Sequence, residues 1–572
     1  MRLFNFTAEH CQNCNKCVRE CPVKAIRFRN RIAEIDEEKC IACGQCFTSC
    51  PKHARNMENE VEAVTNMLKS GRKVVACIDS AYLGSFKIPG QYVHALKKMG
   101  FHSVQEIAVG SERILDEYIK YIKENAGKQK YFICSTCPSI YLFIQKYHPK
   151  LVKYIIPVVT PMIALGTAIK REDPGVYTVY IGPCLSKKYE TLPKRDDAPI
   201  NSLITCQEII RMFRLNGIDY EAFEPVMPDR VARNTGTSYS ISGDVWPCMT
   251  EILEKEGYDT LNINGLDNVK HLFESMENET LADCYVAISA CTESCINGPF
   301  IPKQSLDLFC RRQKITHFAA HHGWGKEDAL GPVDWEGIDL RREFKPIEVP
   351  RNKASEWELK EILMRMGRKT RAEEFDCGAC GYSTCREKAQ AVFEGMAEEE
   401  MCWPNLRKKA ERKGDMIFLN SRNIIVLLDK NNLITQLNPK AEKAFDITNE
   451  EAVGKHISIL GLSEEDYIYS IKNKKDLLNK KMHLKDYGII VMQNIIYIEG
   501  DELFVSMQDI TEEEKNKEEL AKLKMHTVSI AQNVIEKQMR VAQEIASLLG
   551  ETTAETKVAL NKLKDVVIKE GE

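Results

Sequence analysis

Residues 11–22 read CQNCNKCVRECP, and residues 40–51 read CIACGQCFTSCP. Both follow C-x2-C-x2-C-x3-C-P, the second starting twenty-nine residues after the first. Three closely spaced thiolates hold three corners of a 4Fe-4S cube, while the fourth, displaced by the proline turn, serves the other cube. Cys11, Cys14 and Cys17 therefore pair with Cys50, and Cys40, Cys43 and Cys46 with Cys21. A pair of zinc knuckles needs neither the third cysteine at this interval nor the repeated proline.

This is the signature of two-cluster bacterial ferredoxins, and it sets how the rest of the 572 residues are read. Twenty-two cysteines in a chain without a secretion-signal pattern point to metal ligation in a reducing compartment, with a cytoplasmic location expected. With 79 Lys+Arg against 83 Asp+Glu, a formal net charge of -4 supplies no overall basic field for nucleic acid or an anionic membrane. The longest apolar stretch, 154–169, is interrupted by Pro157 and Pro161 and is too short to span a bilayer.

A third group, Cys377, Cys380, Cys385 and Cys402, lies in DCGACGYSTCREKAQAVFEGMAEEEMCWP. Four thiolates suit zinc or iron-sulfur, and the two cubes upstream favour iron-sulfur. Residues 386–401 read as a helix returning Cys402 to the site. The segment resembles the four-cysteine 4Fe-4S domain of anaerobic iron-sulfur proteins.

Five further cysteines fall in three loops, each after a short β-branched or aromatic run: FICSTCPSIY (Cys134, Cys137), YIGPCLSKKYE (Cys184) and AISACTESCINGPF (Cys291, Cys295). Loops at strand ends are where α/β proteins build sites. These segments resemble the three signatures of iron-iron hydrogenases, TSCCP, MPCxxKxxE and ExMACxxGCxxGG, over about residues 1–345. The resemblance implies a two-lobed α/β domain in which Cys137, Cys184, Cys291 and Cys295 hold a 4Fe-4S cube. Cys295 would bridge to a diiron subsite with carbon monoxide, cyanide and dithiolate, completing an H-cluster. It further implies that the Lys187 ammonium donates to a cyanide ligand and that Ser135 offers a hydroxyl; Pro183 and Glu190 match as well.

The departures from the pattern bear on turnover. Thr136 stands where the family has its proton-relaying cysteine, and a threonine hydroxyl is too weak an acid for that task. Gly182 replaces the methionine of MPC, while Ala287 and Ser289 replace the glutamate and methionine of ExMAC, changing packing and polarity at the cluster. Cys134 and Glu293 are candidates for a rerouted proton path, with a structural role the alternative for each. Cys77, Cys134, Cys206, Cys248, Cys284 and Cys310 are expected to be structural.

From about residue 416 cysteine disappears. NIIVLLDKNNLITQLNPKAEKAFDITNEEAVGKHISIL resembles the start of a PAS domain, which ends at the DIT of Asp509–Thr511. PAS domains bind small ligands or dimerise, and the sequence does not choose. His456 reads as a surface histidine at a helix end. After Thr511 apolar residues recur at helical spacing, suggesting two helices parted near residues 550–553 that pair in a homodimer or dock a partner.

The expected architecture is multidomain α/β: a two-cluster ferredoxin domain (1–60), a hydrogenase H-cluster domain (61–345), a 4Fe-4S domain (355–412), an α+β PAS domain (416–512) and a helical tail (513–572). The leading expectation is a slow, hydrogen-sensing hydrogenase interconverting H2 with protons and electrons, homodimeric, loaded by hydrogenase maturation proteins and read by a downstream signalling protein. The alternatives are a metabolic hydrogenase exchanging electrons with ferredoxin or another redox protein, and an iron-sulfur redox switch without the diiron subsite.

Overall fold

The computed structural model describes residues 4–549 except 30–31, 58, 192–196, 234, 243–246, 303–305, 322–323 and 325–328, and also 558–559 and 561–562. The chain divides into two units, residues 1–405 and 406–572.

The first unit opens with two small antiparallel ladders. One pairs β1 (Phe4–Phe6) with the strand Arg55–Met57, and the other is the hairpin of β2 (Ile26–Arg29) and β3 (Ile32–Ile35). Short helices Lys16–Glu20 and Gln45–Thr48, one in each cysteine repeat, pack together between them. With Arg55–Met57 as β4, the strands β5 (Val74–Ile78), β6 (Ser103–Glu106), β7 (Tyr131–Ile133), β8 (Tyr177–Gly182), β9 (Ser202–Thr205), β10 (Asp259–Asn264) and β11 (Cys284–Ser289) form two parallel sheets. One has the order β6-β5-β8-β9 and the other β10-β11-β7. Strands β5, β7 and β11 are buried along their whole length, as parallel strands covered on both faces must be. The two sheets are the two lobes, and the loops leaving β5, β7, β8 and β11 carry Asp79, Cys137, Cys184 and Cys291.

The four-cysteine segment does not stand apart. Tyr382, Ala391, Met396 and Met401 share one hydrophobic core with Val18, Cys21, Ile26 and Phe28 of the amino-terminal domain. The helix expected over 386–401 spans Cys385–Phe393 and stops there, because Gly395 takes a left-handed φ of +68°. The freed chain then lets the Met396 carbonyl accept from the Phe28 N–H at 2.8 Å.

In the second unit β12 (Ile424–Leu428), β13 (Ile434–Leu437), β14 (Leu477–Leu484), β15 (Ile489–Ile498) and β16 (Glu502–Asp509) form an antiparallel sheet of order β13-β12-β16-β15-β14. Asn438, fully buried, caps helix Pro439–Phe445 by accepting from the Ala441 N–H and also accepts from the Ile425 N–H. His456 is the partly exposed cap of a short 3-10 turn, paired with Glu464. One continuous helix runs Thr511–Leu549; the break expected at 550–553 lies outside the described residues. Among the described residues no helix is long and apolar enough to cross a membrane.

Glu106 ends β6 with its carboxyl fully buried. It accepts from the Tyr82 hydroxyl at 2.7 Å, the Ala232 N–H at 3.1 Å and the Trp324 indole N–H at 3.2 Å. Burial pushes its pKa up to about 7, outweighing those hydrogen bonds. The folded chain therefore holds this proton to higher pH than the unfolded chain, and stability falls as pH rises from about 4.5 to about 7. Glu106→Gln should flatten this slope, removing about 3 kcal/mol of pH dependence between pH 5 and 8, as read by urea denaturation.

Candidate iron-sulfur centres

Cys21, Cys40, Cys43 and Cys46 line one small pocket, walled by Val23, Ile26, Ile35, Ile41 and Leu185. These are the four residues that the repeat crosses over to one cube. Their sulfurs meet backbone donors: Ala25 N–H reaches Cys21 Sγ at 3.2 Å and Ala42 N–H reaches Cys40 Sγ at 3.3 Å. Such bonds stabilise thiolate charge. For the other set, Cys17 Sγ accepts from the Arg55 guanidinium at 3.3 Å and Cys50 Sγ from the Ala54 N–H at 3.4 Å, so two successive residues tie these ligands together.

Cys377, Cys380, Cys385 and Cys402 line a second small pocket, beside Arg368, Lys388 and Trp403. The Arg368 guanidinium donates to Cys402 Sγ at 3.5 Å, and the buried Lys388 ammonium lies within electrostatic reach of Cys402, Cys380 and Cys385. Soft sulfur donors, apolar walls and two cations fit an anionic iron-sulfur cluster.

In the two-lobed domain, Cys137 caps the helix Pro138–Tyr147 and lies with Cys184 and Cys291 in one electrostatic cluster. Cys295 joins it through Cys184 and Cys291, and Cys291 also feels Cys43 of the ferredoxin-type cavity. Gly44 packs on Pro299, so the two centres adjoin. The loop holding Cys291 and Cys295 is strained: Glu293 has φ +63°, and Ser294, at the family's glycine, has φ +64° and ψ -158°, a region otherwise reserved for glycine.

The surroundings of Cys295 differ from the expected ones. Lys187 is buried, and its ammonium lies 3.4 Å from Asp79 Oδ2 and faces the Tyr180 and Tyr239 rings at 5.0 and 5.6 Å. The same carboxylate oxygen accepts from the Tyr239 hydroxyl at 2.9 Å and the Tyr180 hydroxyl at 3.0 Å. Burial works to lower the pKa of Lys187, but Asp79, then Cys295 and Cys184, outweigh it and the net shift is upward. This network also accounts for Gly182: a Cβ there would lie 2.2 Å from Tyr180 Oη and 2.8 Å from Asp79 Cβ, so the methionine of the family pattern has no room.

The remaining expected site residues are otherwise engaged. Ser135 is buried and donates to the Val158 carbonyl at 2.7 Å, beside Tyr118 at 2.8 Å. Ser289 donates to Asn264 Oδ1 and the Cys291 carbonyl, bracing the loop that carries Cys291. Glu293 is partly exposed and paired with Arg312. Thr136 is half-buried beside Cys137. Glu190 is buried, held by Arg342 at 2.6 Å, Thr160 at 2.7 Å and Tyr141 at 3.1 Å. Cys134 is structural, its sulfur bonded to the Ile288 backbone, and Cys77, Cys206 and Cys284 are buried. Cys310 is exposed, contrary to a structural role, and the Cys248 side chain lies outside the described residues. Asp79, Tyr180 and Tyr239 were not anticipated, although an acidic residue directly after the apolar run Val74–Ile78 marks the carboxyl end of a parallel strand.

Comparison with known proteins agrees with this layout. Residues 72–299 match the family described as iron only hydrogenase large subunit, C-terminal domain; 10–54 match the 4Fe-4S dicluster domain, and 374–404 an Fe-S cluster family. The chain thus carries an Fe-only hydrogenase-like domain together with 4Fe-4S domains. It is 28% identical over 319 residues to the periplasmic [Fe] hydrogenase large subunit of Nitratidesulfovibrio vulgaris, covering 49% of this chain and 75% of that one. It is also 29% identical over 102 residues to the cytosolic Fe-S cluster assembly factor NAR1 of Kluyveromyces lactis, and 27% over 101 residues to that of Eremothecium gossypii. Those two matches cover 18% of this chain and span only 21% and 22% of the two fungal proteins. Among solved structures, an [FeFe]-hydrogenase HydA1 variant from Chlamydomonas reinhardtii is similar at 16% identity and a TM-score of 0.40, covering 51% of this chain and 100% of that one.

Removing one member of a buried ion pair strands the other charge. Asp79→Asn should cost about 3–5 kcal/mol in urea denaturation, and Lys187→Met added to it should restore most of that loss.

Proposed function

We propose that this chain is an iron-sulfur redox switch whose hydrogenase-like domain carries a 4Fe-4S cube on Cys137, Cys184, Cys291 and Cys295 without a diiron subsite. The observation that carries this reading is the Asp79–Lys187 network. A diiron unit with cyanide ligands needs the Lys187 ammonium as a donor, and here that ammonium is committed to a carboxylate flanked by two tyrosines. A buried carboxylate beside Cys295 would also repel anionic ligands. The gathering of four cysteines supports a cube, and the engagement of Lys187 by Asp79 argues against a subsite at Cys295.

When loaded, the cubes supply one-electron storage and transfer. The chain's own part is to hold sulfur ligands in dry cavities, to donate N–H groups to their sulfurs and to set their potentials with Arg55, Arg368 and Lys388. The similarity to proteins named as Fe-S cluster assembly factors supports a role in which such a domain works through its cluster rather than by hydrogen turnover. The partner class is a one-electron redox protein or the recipient of a cluster.

The sheet order β13-β12-β16-β15-β14, with helices Pro439–Phe445 and Glu465–Asn473 packed on it, supports a PAS domain as the output module. Exposed Leu520, Leu523, Ile530, Val534 and Val541 recur at intervals of three, four and seven residues along the terminal helix, supporting its pairing with a second copy.

A second reading, the hydrogen sensor, is favoured by retention of Cys295 and Lys187 and by the similarity to a periplasmic [Fe] hydrogenase large subunit. An infrared spectrum of the chain co-expressed with hydrogenase maturation proteins separates the two. The switch predicts about 16 irons per chain, four per cube, and no carbon monoxide or cyanide bands. Bands that shift under hydrogen would replace it with the sensor. In that case Thr136→Cys should raise the rate of hydrogen evolution by about 10²-fold or more, and an unchanged slow rate would exclude the missing relay as its cause.

A further inference from the structure

Lys24 touches both the ferredoxin-type repeat and the loop of the third cysteine group through a single charge. It follows the Pro22 turn with φ +51°, an unfavourable conformation for a lysine, and its half-buried ammonium donates to three carbonyls. Two belong to Val18 and Arg19, at 3.2 and 3.1 Å, and lie between Cys17 and Cys21. The third belongs to Gly381, at 2.9 Å, the residue after Cys380. The same ammonium sits 5.9 Å from the Tyr382 ring centre and within electrostatic reach of both Cys21 and Cys380.

The seam around it is tight. Gly381 has φ +94°, and a Cβ there would lie 2.9 Å from Val18 Cβ and 3.0 Å from the Arg19 nitrogen. The Arg19 guanidinium reaches the Ala379 carbonyl at 3.4 Å, and Lys39 pairs with Glu394 across the same junction. A lysine that satisfies all three ammonium protons with carbonyl oxygens is fixed in place, unlike a surface lysine free to sample solvent. Backbone from the two cluster loops is thereby in direct van der Waals contact.

We propose that Lys24 is a positioning residue that clamps the Cys377/Cys380/Cys385/Cys402 centre onto the Cys21/Cys40/Cys43/Cys46 centre, stabilises the reduced form of both, and makes this seam the route of electron exchange between them. In that exchange one electron moves, one cube falls from the 2+ to the 1+ state as the other rises, and no bond or proton changes hands. A fixed positive charge favours the more negative, reduced form of each cube. The hydrogenase-like centre adjoins the same ferredoxin-type cavity through Cys43 and Pro299, so the third centre becomes the outer end of a three-centre path. The inference needs only the 4Fe-4S domains and holds with or without a diiron subsite, so its failure leaves the infrared result untouched.

The test is a redox titration of the full-length, cluster-loaded chain followed by electron paramagnetic resonance, with dithionite as reductant. Lys24→Met should make both centres at least tenfold harder to reduce, a fall of about 59 mV in each midpoint potential. Lys24→Arg should recover most of that fall, because it keeps the charge. Full iron content with both potentials unmoved in Lys24→Met overturns the proposal. If Lys24→Met does not assemble, the wild-type chain decides. Its fully reduced spectrum should show magnetic coupling beyond that between the two ferredoxin-type cubes; this extra coupling should disappear in Cys380→Ala, which removes a ligand of the third centre, and weaken in Gly381→Ala, which pushes the loops apart. A fully reduced wild-type spectrum with the same coupling as Cys380→Ala refutes the contact.

Discussion

The structure depends on the cost of gathering sulfur ligands away from water. In the pocket shared by Cys21 and the second cysteine repeat, burial pushes the Cys40 thiol up to about 12 and drives Cys46 well above its ordinary value; at the hydrogenase-like centre Cys137 is pushed up to about 11. Four thiols held this way do not ionise at neutral pH unless a cation shares their charge. Iron supplies that charge, and nearby N–H donors, guanidinium groups and ammonium groups supply the remainder. Each lobe and helix cap around the centres serves this requirement, from the Cys137 helix start to the packing of Gly44 on Pro299.

Much of this was legible because iron-sulfur ligation is written in local spacing. The crossing of Cys21 to the Cys40 group follows from the repeat alone, and the shared cavity is consistent with it. The strands before Cys137, Cys184 and Cys291 were legible as buried apolar runs bounded by loops. The reach of the helix after Cys385 was not, because its polar and apolar residues continue in helical register through Met401 while the stop is a backbone event at Gly395. Nor was the joint core of the amino-terminal domain and the four-cysteine segment, since nothing in either pattern names the other. In the second unit, β14 and β15 went unread because β14 alternates weakly and is largely exposed.

The same limit explains why the Asp79–Lys187 pair beside Cys295 is not legible in the motif. A signature records which residues are kept, not what stands opposite them. Lys187 matches the family position, yet its chemistry here is set by Asp79, 108 residues earlier in the chain, and by Tyr239 at the start of the short helix Tyr239–Ser242. Gly182 looks like a simple loss until Tyr180 is seen to fill its side-chain space. The match at Lys187 and the departure at Gly182 thus trace to one buried arrangement of charge.

The core shared by Val18, Phe28, Tyr382 and Met396 has a consequence for synthesis. Lys24 and Gly381 are 357 residues apart, so at typical elongation rates of roughly 5–20 residues per second the amino-terminal lobe waits on the order of 20–70 s for its partner segment. During that interval its apolar flank is bare. The order of translation therefore defines a window in which this chain depends on chaperoning, and the emergence of Cys402 closes it.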